Sequence, residues 1–268
     1  MSNQNSGGKG SSIFATVAIP VVIIIAYCIY VFILGAHGNF EGGDPEKGHP
    51  LNMLGTIHKG GIAVVPILIA VDLIIIVFSL ERIITLFKAG GSGNTETFIR
   101  NVKSKLGAGQ VDGAIADCDK QKGSLAAVVK AGLQKYKFVQ NDASIDKEAK
   151  VAAIQKDLEE ATSLELPMLS KNLVILSTCA SIATLLGLIG TVLGMIRSFA
   201  ALANAGAPDT TALATGISEA LINTFLGIAG SCVAIVAYNF FSSKIDAMTY
   251  GMDEAGYSIV QTFNEKGH

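Results

Sequence analysis

Charge is scarce in this chain of 268 residues: Asp, Glu, Lys and Arg make up 16% of it, against roughly 25% in a soluble domain. Half of the residues are hydrophobic and the mean hydropathy is +0.48, so the sequence reads as an integral membrane protein. A net charge of −2 leaves no global basic surface and argues against a nucleic-acid partner. Cysteine is equally sparse. Cys28, Cys179 and Cys232 lie in apolar segments and Cys118 in a charged region, with no CxxC, so they read as reduced, buried small hydrophobes. His37, His49, His58 and His268 are scattered, which offers no metal-ligand spacing and no cofactor. No nucleophile and base pair and no phosphate loop occurs, so an enzyme is the least favoured class.

The apolar runs set the expected architecture, an all-α integral membrane protein with four transmembrane helices and a helical cytoplasmic domain. Residues 1–12 are Gly, Ser and Asn-rich and read as a disordered cytoplasmic N-terminus. Helix A, 13–35, is a continuous apolar run long enough to cross a hydrocarbon core of about 30 Å. It exceeds the about 7–15 residues of a signal-peptide core, and its one candidate cleavage site has Leu34 at −3, so it reads as a retained extra anchor. A connector, 36–61, leads to helix B, 62–87. Residues 88–171 alternate short amphipathic stretches with Gly or Asn-Asp breakers, predicting helices over 95–106, 111–120, 125–136 and 144–164. Helix C, 172–202, and helix D, 213–241, flank a short turn, 203–212, and an amphipathic tail fills 242–268. Thirteen Lys or Arg lie between Lys88 and Lys171 and none in 203–212, which puts 88–171 and both termini in the cytoplasm and 36–61 and 203–212 outside.

Helices C and D carry polar residues that a simple lipid anchor would not need. Thr191 lies eleven residues before Leu202 and Thr224 eleven after Leu213, so both fall about 16 Å below the outer surface, near the midplane. Ser177, Thr184, Thr191 and Ser198 repeat every seven residues on helix C, and Thr224, Ser231 and Tyr238 do so on helix D. Two hydroxyl stripes at matched depth predict a wet path, although any single hydroxyl could equally serve helix–helix contact. Nearer the outer end, Arg197 and Glu219 share a level. An unpaired charge there costs about 2–3 kcal/mol or more, so they are expected to pair, either as a structural tie or as a charged vestibule. Asp72 of helix B counts to the depth of Thr191, Asn223 and Thr224. It reads either as a protonated carboxyl bonded to Tyr27 or Asn223, or as a second proton-carrying or cation-binding group.

The segments Gly187-Leu188-Ile189-Gly190-Thr191-Val192-Leu193-Gly194-Met195-Ile196 and Gly216-Ile217-Ser218-Glu219-Ala220-Leu221-Ile222-Asn223-Thr224 resemble the signature of the MotA/TolQ/ExbB proton-channel family, nearest its ExbB branch. The resemblance implies a bacterial inner-membrane stator: a homopentamer whose pore holds single helices of an ExbD/TolR-type partner, driving a TonB-like protein with proton motive force. It assigns Thr191 and Thr224 to the pore, facing an Asp of the partner, with Glu219 as the matched carboxylate. Ser198, Thr184, Ser231, Asn223 and Asp72 complete the expected ion pathway. Ala183-Thr184 replaces a frequent Ala-Pro, Asn223 stands where Ala is common, and helix A is additional to a three-helix ExbB plan. A TolQ-like, gliding or flagellar stator is the nearest alternative, and a structural membrane scaffold is the alternative of another class. The residues fit proton or sodium coupling alike.

Overall fold

The computed structural model describes residues 6–142, 144–204 and 210–266, so parts of the predicted segments 1–12, 203–212 and 242–268 lie outside the described residues. Among those described, 86% are helical and no strand is present. The helices are α1 (Ser6–Cys28), α2 (Met53–His58), α3 (Val65–Ala89), α4 (Thr95–Gly107), α5 (Val111–Gln121), α6 (Gly123–Gln140), α7 (Lys147–Ser170), α8 (Leu173–Asn204) and α9 (Thr210–Lys266). Three stretches are long and apolar enough to cross a membrane, within Phe14–Leu34, Lys147–Ala200 and Leu213–Glu265. The α3 helix is not among them, because Asp72, Glu81 and Arg82 all fall in its first eighteen residues. The chain divides into two compact units, one from the described parts of Met1–Leu80 and Val174–Tyr238, the other from Glu81–Leu173 and the described part of Asn239–His268.

In the first unit α1 passes into a π-helical turn, Ile29–Leu34. Its terminal carbonyls need partners that a regular helix end lacks. Asn39 supplies them, donating through Nδ2 to the carbonyls of Ile33 and Leu34 at 2.8 and 3.0 Å. The connector that follows is folded. Asn52 donates to Asn39 Oδ1 at 2.9 Å and caps α2 by accepting the Gly55 N–H at 3.0 Å. His58 stacks on Tyr30 with ring centroids 4.5 Å apart and meets the edge of Phe40 at 5.3 Å. The buried side chains of Tyr30, Leu34 and Val65 join these pieces into one small core.

The α8 and α9 helices touch through their smallest residues. A Cβ on Gly187 would lie 3.2 Å from the Cα of Gly227, and one on Gly194 would lie 2.8 Å from the Gly216 carbonyl. Such contact lets two backbones approach where lipid offers no hydrophobic drive to bring helices together.

The second unit is a conventional bundle in which α4 packs on α5, α5 on α6 and α6 on α7. Asn94 caps α4, accepting from the N–H groups of Glu96 and Thr97, and Asp146 caps α7, accepting from Ala149 at 2.7 Å. Leu133, Ile154 and Phe263 are buried, with Phe263 edge-on to Tyr136 at 4.8 Å. Pro167 lies inside α7, which runs through it to Ser170. The break falls at Lys171–Asn172, where Asn172 adopts the left-handed φ of 66°. Arg82, fully buried, explains the site: it donates to the Leu169 carbonyl at 3.1 Å and pairs with Glu81 at 2.6 Å. Asn172 donates to the same Glu81 at 3.2 Å. The end of α7 is therefore held by side chains of α3.

Candidate functional site

Thr191 and Thr224, matched in depth by counting, are directly hydrogen-bonded through their hydroxyls. Each also reaches the carbonyl one turn back on its own helix, Gly187 at 3.1 Å for Thr191 and Ala220 at 3.2 Å for Thr224. Two hydroxyl protons thus face three contacts, and each oxygen keeps acceptor capacity. The pair can rearrange its donors without moving a helix, which suits a group that must receive or pass a proton or solvate a small cation.

One level outward, Arg197 Nη1 and Glu219 Oε2 are 3.3 Å apart. The guanidinium side is 51% exposed and the carboxylate 17%, so the pair is open on the Arg197 side. It forms part of the wall of a cavity of about 910 Å3, whose rim includes Lys47, His49, Lys59 and Ser218. The two charges pair within a single chain, and Lys47 and Lys59 of the connector line the same cavity.

The other expected pathway residues divide. Ser198 is fully buried between α8 and α9, donating to Gly194 at 3.0 Å, and it occupies the space left by Gly216. Thr184 and Ser231 line a separate cleft of about 320 Å3 together with Ser177 and Tyr238. The seven-residue stripe is therefore split into a cleft, a bonded pair and a buried tie. Asn223 is 2% exposed and donates through Nδ2 to the Gly60 carbonyl at 2.9 Å.

Asp72 stands apart from the Thr pair. Its carboxylate lies against Gly230, six residues along α9 from Thr224, or about 9 Å of helix rise. Counted from Ile62 at the outer surface, Asp72 falls at the Thr191 level. In the structure Gly60 and Gly61 already sit at Asn223 and Arg197, so α3 starts deeper and carries Asp72 further in. Neither Tyr27 nor Asn223 is its partner: Tyr27 is exposed, and Asp72 Oδ1 is buried with no hydrogen bond. The groove it needs exists because Gly230 has no side chain.

Two sets of residues at these sites carry little local signal. One is the run Tyr30, His58, Gly60 and Gly61, of which only the Gly-Gly pair is conspicuous in sequence. The other is the Arg82, Glu81 and Asn172 network. Among the described residues no group of three or more His, Cys, Asp or Glu could hold a metal ion. All four cysteines are free thiols. Burial, reinforced by Asp119, pushes the Cys118 thiol up to about 12, which leaves it unreactive.

The sequence profile of the MotA/TolQ/ExbB proton channel family matches residues 120–254, half of the chain and all of the Thr191, Arg197, Glu219 and Thr224 constellation. The Tol-Pal system protein TolQ of Pseudomonas aeruginosa is 31% identical over 121 residues, 45% of this chain and 52% of that protein. TolQ of Haemophilus influenzae is 34% identical over 101 residues, 38% of this chain and 44% of that protein. The biopolymer transport protein ExbB of Salmonella typhimurium is 37% identical over 70 residues, 26% of this chain and 29% of that protein. The chain spans about half the length of these three relatives, or less.

Proposed function

Because the chain belongs to the MotA/TolQ/ExbB proton channel family, we propose that it is the channel-forming subunit of a bacterial inner-membrane stator that converts ion flow into mechanical work on a partner. The observation that carries this reading is the bonded Thr191 and Thr224 pair, held at equal depth on two apolar helices inside the family match. In the proposed assembly, α1, α3, α8 and α9 cross the membrane, both termini are cytoplasmic and α4–α7 lie in the cytoplasm. Asp72, Glu81 and Arg82 are tolerable in α3 because each faces protein: Gly230 in one case, the Leu169 and Asn172 network in the others.

Five copies would place their Thr191 and Thr224 pairs around single helices of an ExbD/TolR-type partner. That partner supplies the carboxyl that a one-chain pathway lacks at this level. Its protonation beside the hydroxyl ring releases it to turn, and each charge crossing 100 mV brings about 2.3 kcal/mol before any pH gradient. A TonB-type protein then carries the work to the outer membrane. A TolQ-like output, serving envelope integrity, is the second reading, favoured by the matches to two TolQ proteins. Copurification with the partner, followed by intact mass, tells the two apart and counts the subunits.

The double substitution Thr191→Val and Thr224→Val removes both hydroxyls and keeps the side-chain shapes. It should leave the oligomer assembled and abolish ion flux in liposomes that hold the chain with its partner. Full flux from that variant would refute the mechanism and favour a scaffold whose hydroxyls only join helices.

A further inference from the structure

Residues 36–61 have the composition of a plain connector, yet the end of that connector is bound into both levels of the candidate site. The Gly60 carbonyl accepts the Asn223 amide at 2.9 Å. The next residue, Gly61, has the left-handed φ of 100°, and a Cβ there would lie 3.0 Å from Arg197 Nη1. A single turn thus touches the neighbour of Thr224 and the partner of Glu219. The turn is itself braced: the His58 ring stacks on Tyr30, the Tyr30 hydroxyl donates to the His58 carbonyl at 3.3 Å, and Gly60 N–H donates to Ile57 at 3.0 Å.

The orientation of the Asn223 amide follows from this contact. A carbonyl can accept only from the NH2 end, so Nδ2 is directed at Gly60 and Oδ1 is left as a buried acceptor with no donor. A buried acceptor without a partner carries a free-energy penalty and needs a reason to persist. Here it sits one residue from Thr224, on a side chain that is 2% exposed.

We infer that the Ile57–Gly61 turn is a positioning element of the ion pathway: from within the same subunit it fixes the Asn223 amide through Gly60 and confines the Arg197 guanidinium at Gly61. Tyr30 and His58 hold the turn in place, which gives helix A a role beyond anchoring. The Asn223 Oδ1 is thereby presented as a fixed acceptor beside the threonine level. The inference rests on the function proposed above, but the contact at its centre can be tested without ion flux.

Hydrogen exchange on the full chain with its partner reads the contact directly. Asn223→Ala should speed exchange across Ile57–Gly61 at least tenfold. Gly38→Ala, in the same connector but with open space around it, should leave it within twofold. Asn223→Asp gives the sharper signature. Its protonated carboxyl can donate to the Gly60 carbonyl and its carboxylate cannot, so exchange should be slow at low pH and speed up beyond the intrinsic rate as pH rises. Wild-type exchange in Asn223→Ala, or no such added pH dependence in Asn223→Asp, overturns the inference whether or not the chain conducts ions. In liposomes, Gly60→Ala, which would press on Asn223 Oδ1 at 3.0 Å, should cut flux at least fivefold with the oligomer intact. Wild-type flux in Gly60→Ala would leave the contact standing and overturn its positioning role.

Discussion

The α8–α9 pair and the α4–α7 bundle are both helices packed on helices, and they are built on opposite principles. In the pair, glycines meet backbone: Gly187 faces Gly227, Gly194 faces Gly216, and hydroxyls fill what remains. In the bundle, Leu133, Ile154, Leu158 and Tyr136 fill the contact, and ion pairs such as Lys137 with Asp112 stay outside. Water explains the second, since burying apolar area releases it at roughly 25 cal/mol per Å2. Lipid gives no such release, so the pair depends on close backbone contact and on hydrogen bonds. The same arrangement leaves hydroxyls bonded between two apolar helices, and the bundle has no need of them.

The substitution that would most directly break this comparison is Gly227→Leu. Even a Cβ there would lie 2.5 Å from the Ala183 carbonyl and 2.9 Å from the Gly187 Cα, and backbone cannot yield as a side chain can. The helices should part, taking the Thr191–Thr224 bond with them. Native electrophoresis should show no assembled complex, and liposomes no flux. Normal assembly of Gly227→Leu would mean that glycine contact is not what holds the pair. In the bundle, Ile154→Val removes one methylene from a fully buried position and should cost about 0.5–1.5 kcal/mol by chemical denaturation, with the fold kept. A loss of assembly as complete as that of Gly227→Leu would erase the distinction.

How much of this was legible in sequence follows the same division. The bundle helices announce themselves through apolar spacing, and α4 and α5 fall within a residue of expectation at both ends. The level of Thr191 and Thr224 and that of Arg197 and Glu219 were also accessible, because counting along two antiparallel helices needs only the turn between them. What escaped was contact between distant segments. Nothing near Ser170 indicates that the helix will stop there, since the cause is Arg82, far away on α3. Counting from Ile62 sets Asp72 too shallow, because nothing in the spacing shows that Gly60 dips to Asn223 before α3 begins. The split of the hydroxyl stripe is likewise a matter of which face meets glycine, and a seven-residue repeat cannot tell.

A buried thiol sharpens the contrast in smaller steps. Burial raises the Cys118 pKa from 9.0 to about 12, so the folded bundle keeps its proton where the unfolded chain has lost it. The linkage sign is then fixed: the contribution is fully present below about pH 9 and is lost as pH rises towards 12. Relative to Cys118→Ala, the wild-type bundle should weaken above pH 9, by at most about 1.4 kcal/mol for each pH unit. Equal pH dependence in the two proteins would mean that water reaches the thiol and that the bundle core is not dry at that point.

The smallest expected effect tests the outside of the bundle. Lys156 and Glu160 are 3.7 Å apart on α7, with side chains 74% and 63% exposed. The Lys precedes the Glu, which is the weaker order for a pair one turn apart, and both ends are solvated. Lys156→Ala should therefore change stability by less than about 0.5 kcal/mol, with still less difference at high salt. A larger loss, seen only in the assembled complex and not in the isolated chain, would show that this face is covered by another subunit or a partner. The α7 surface would then join the glycine pair as a place where assembly, rather than water, decides which residues count.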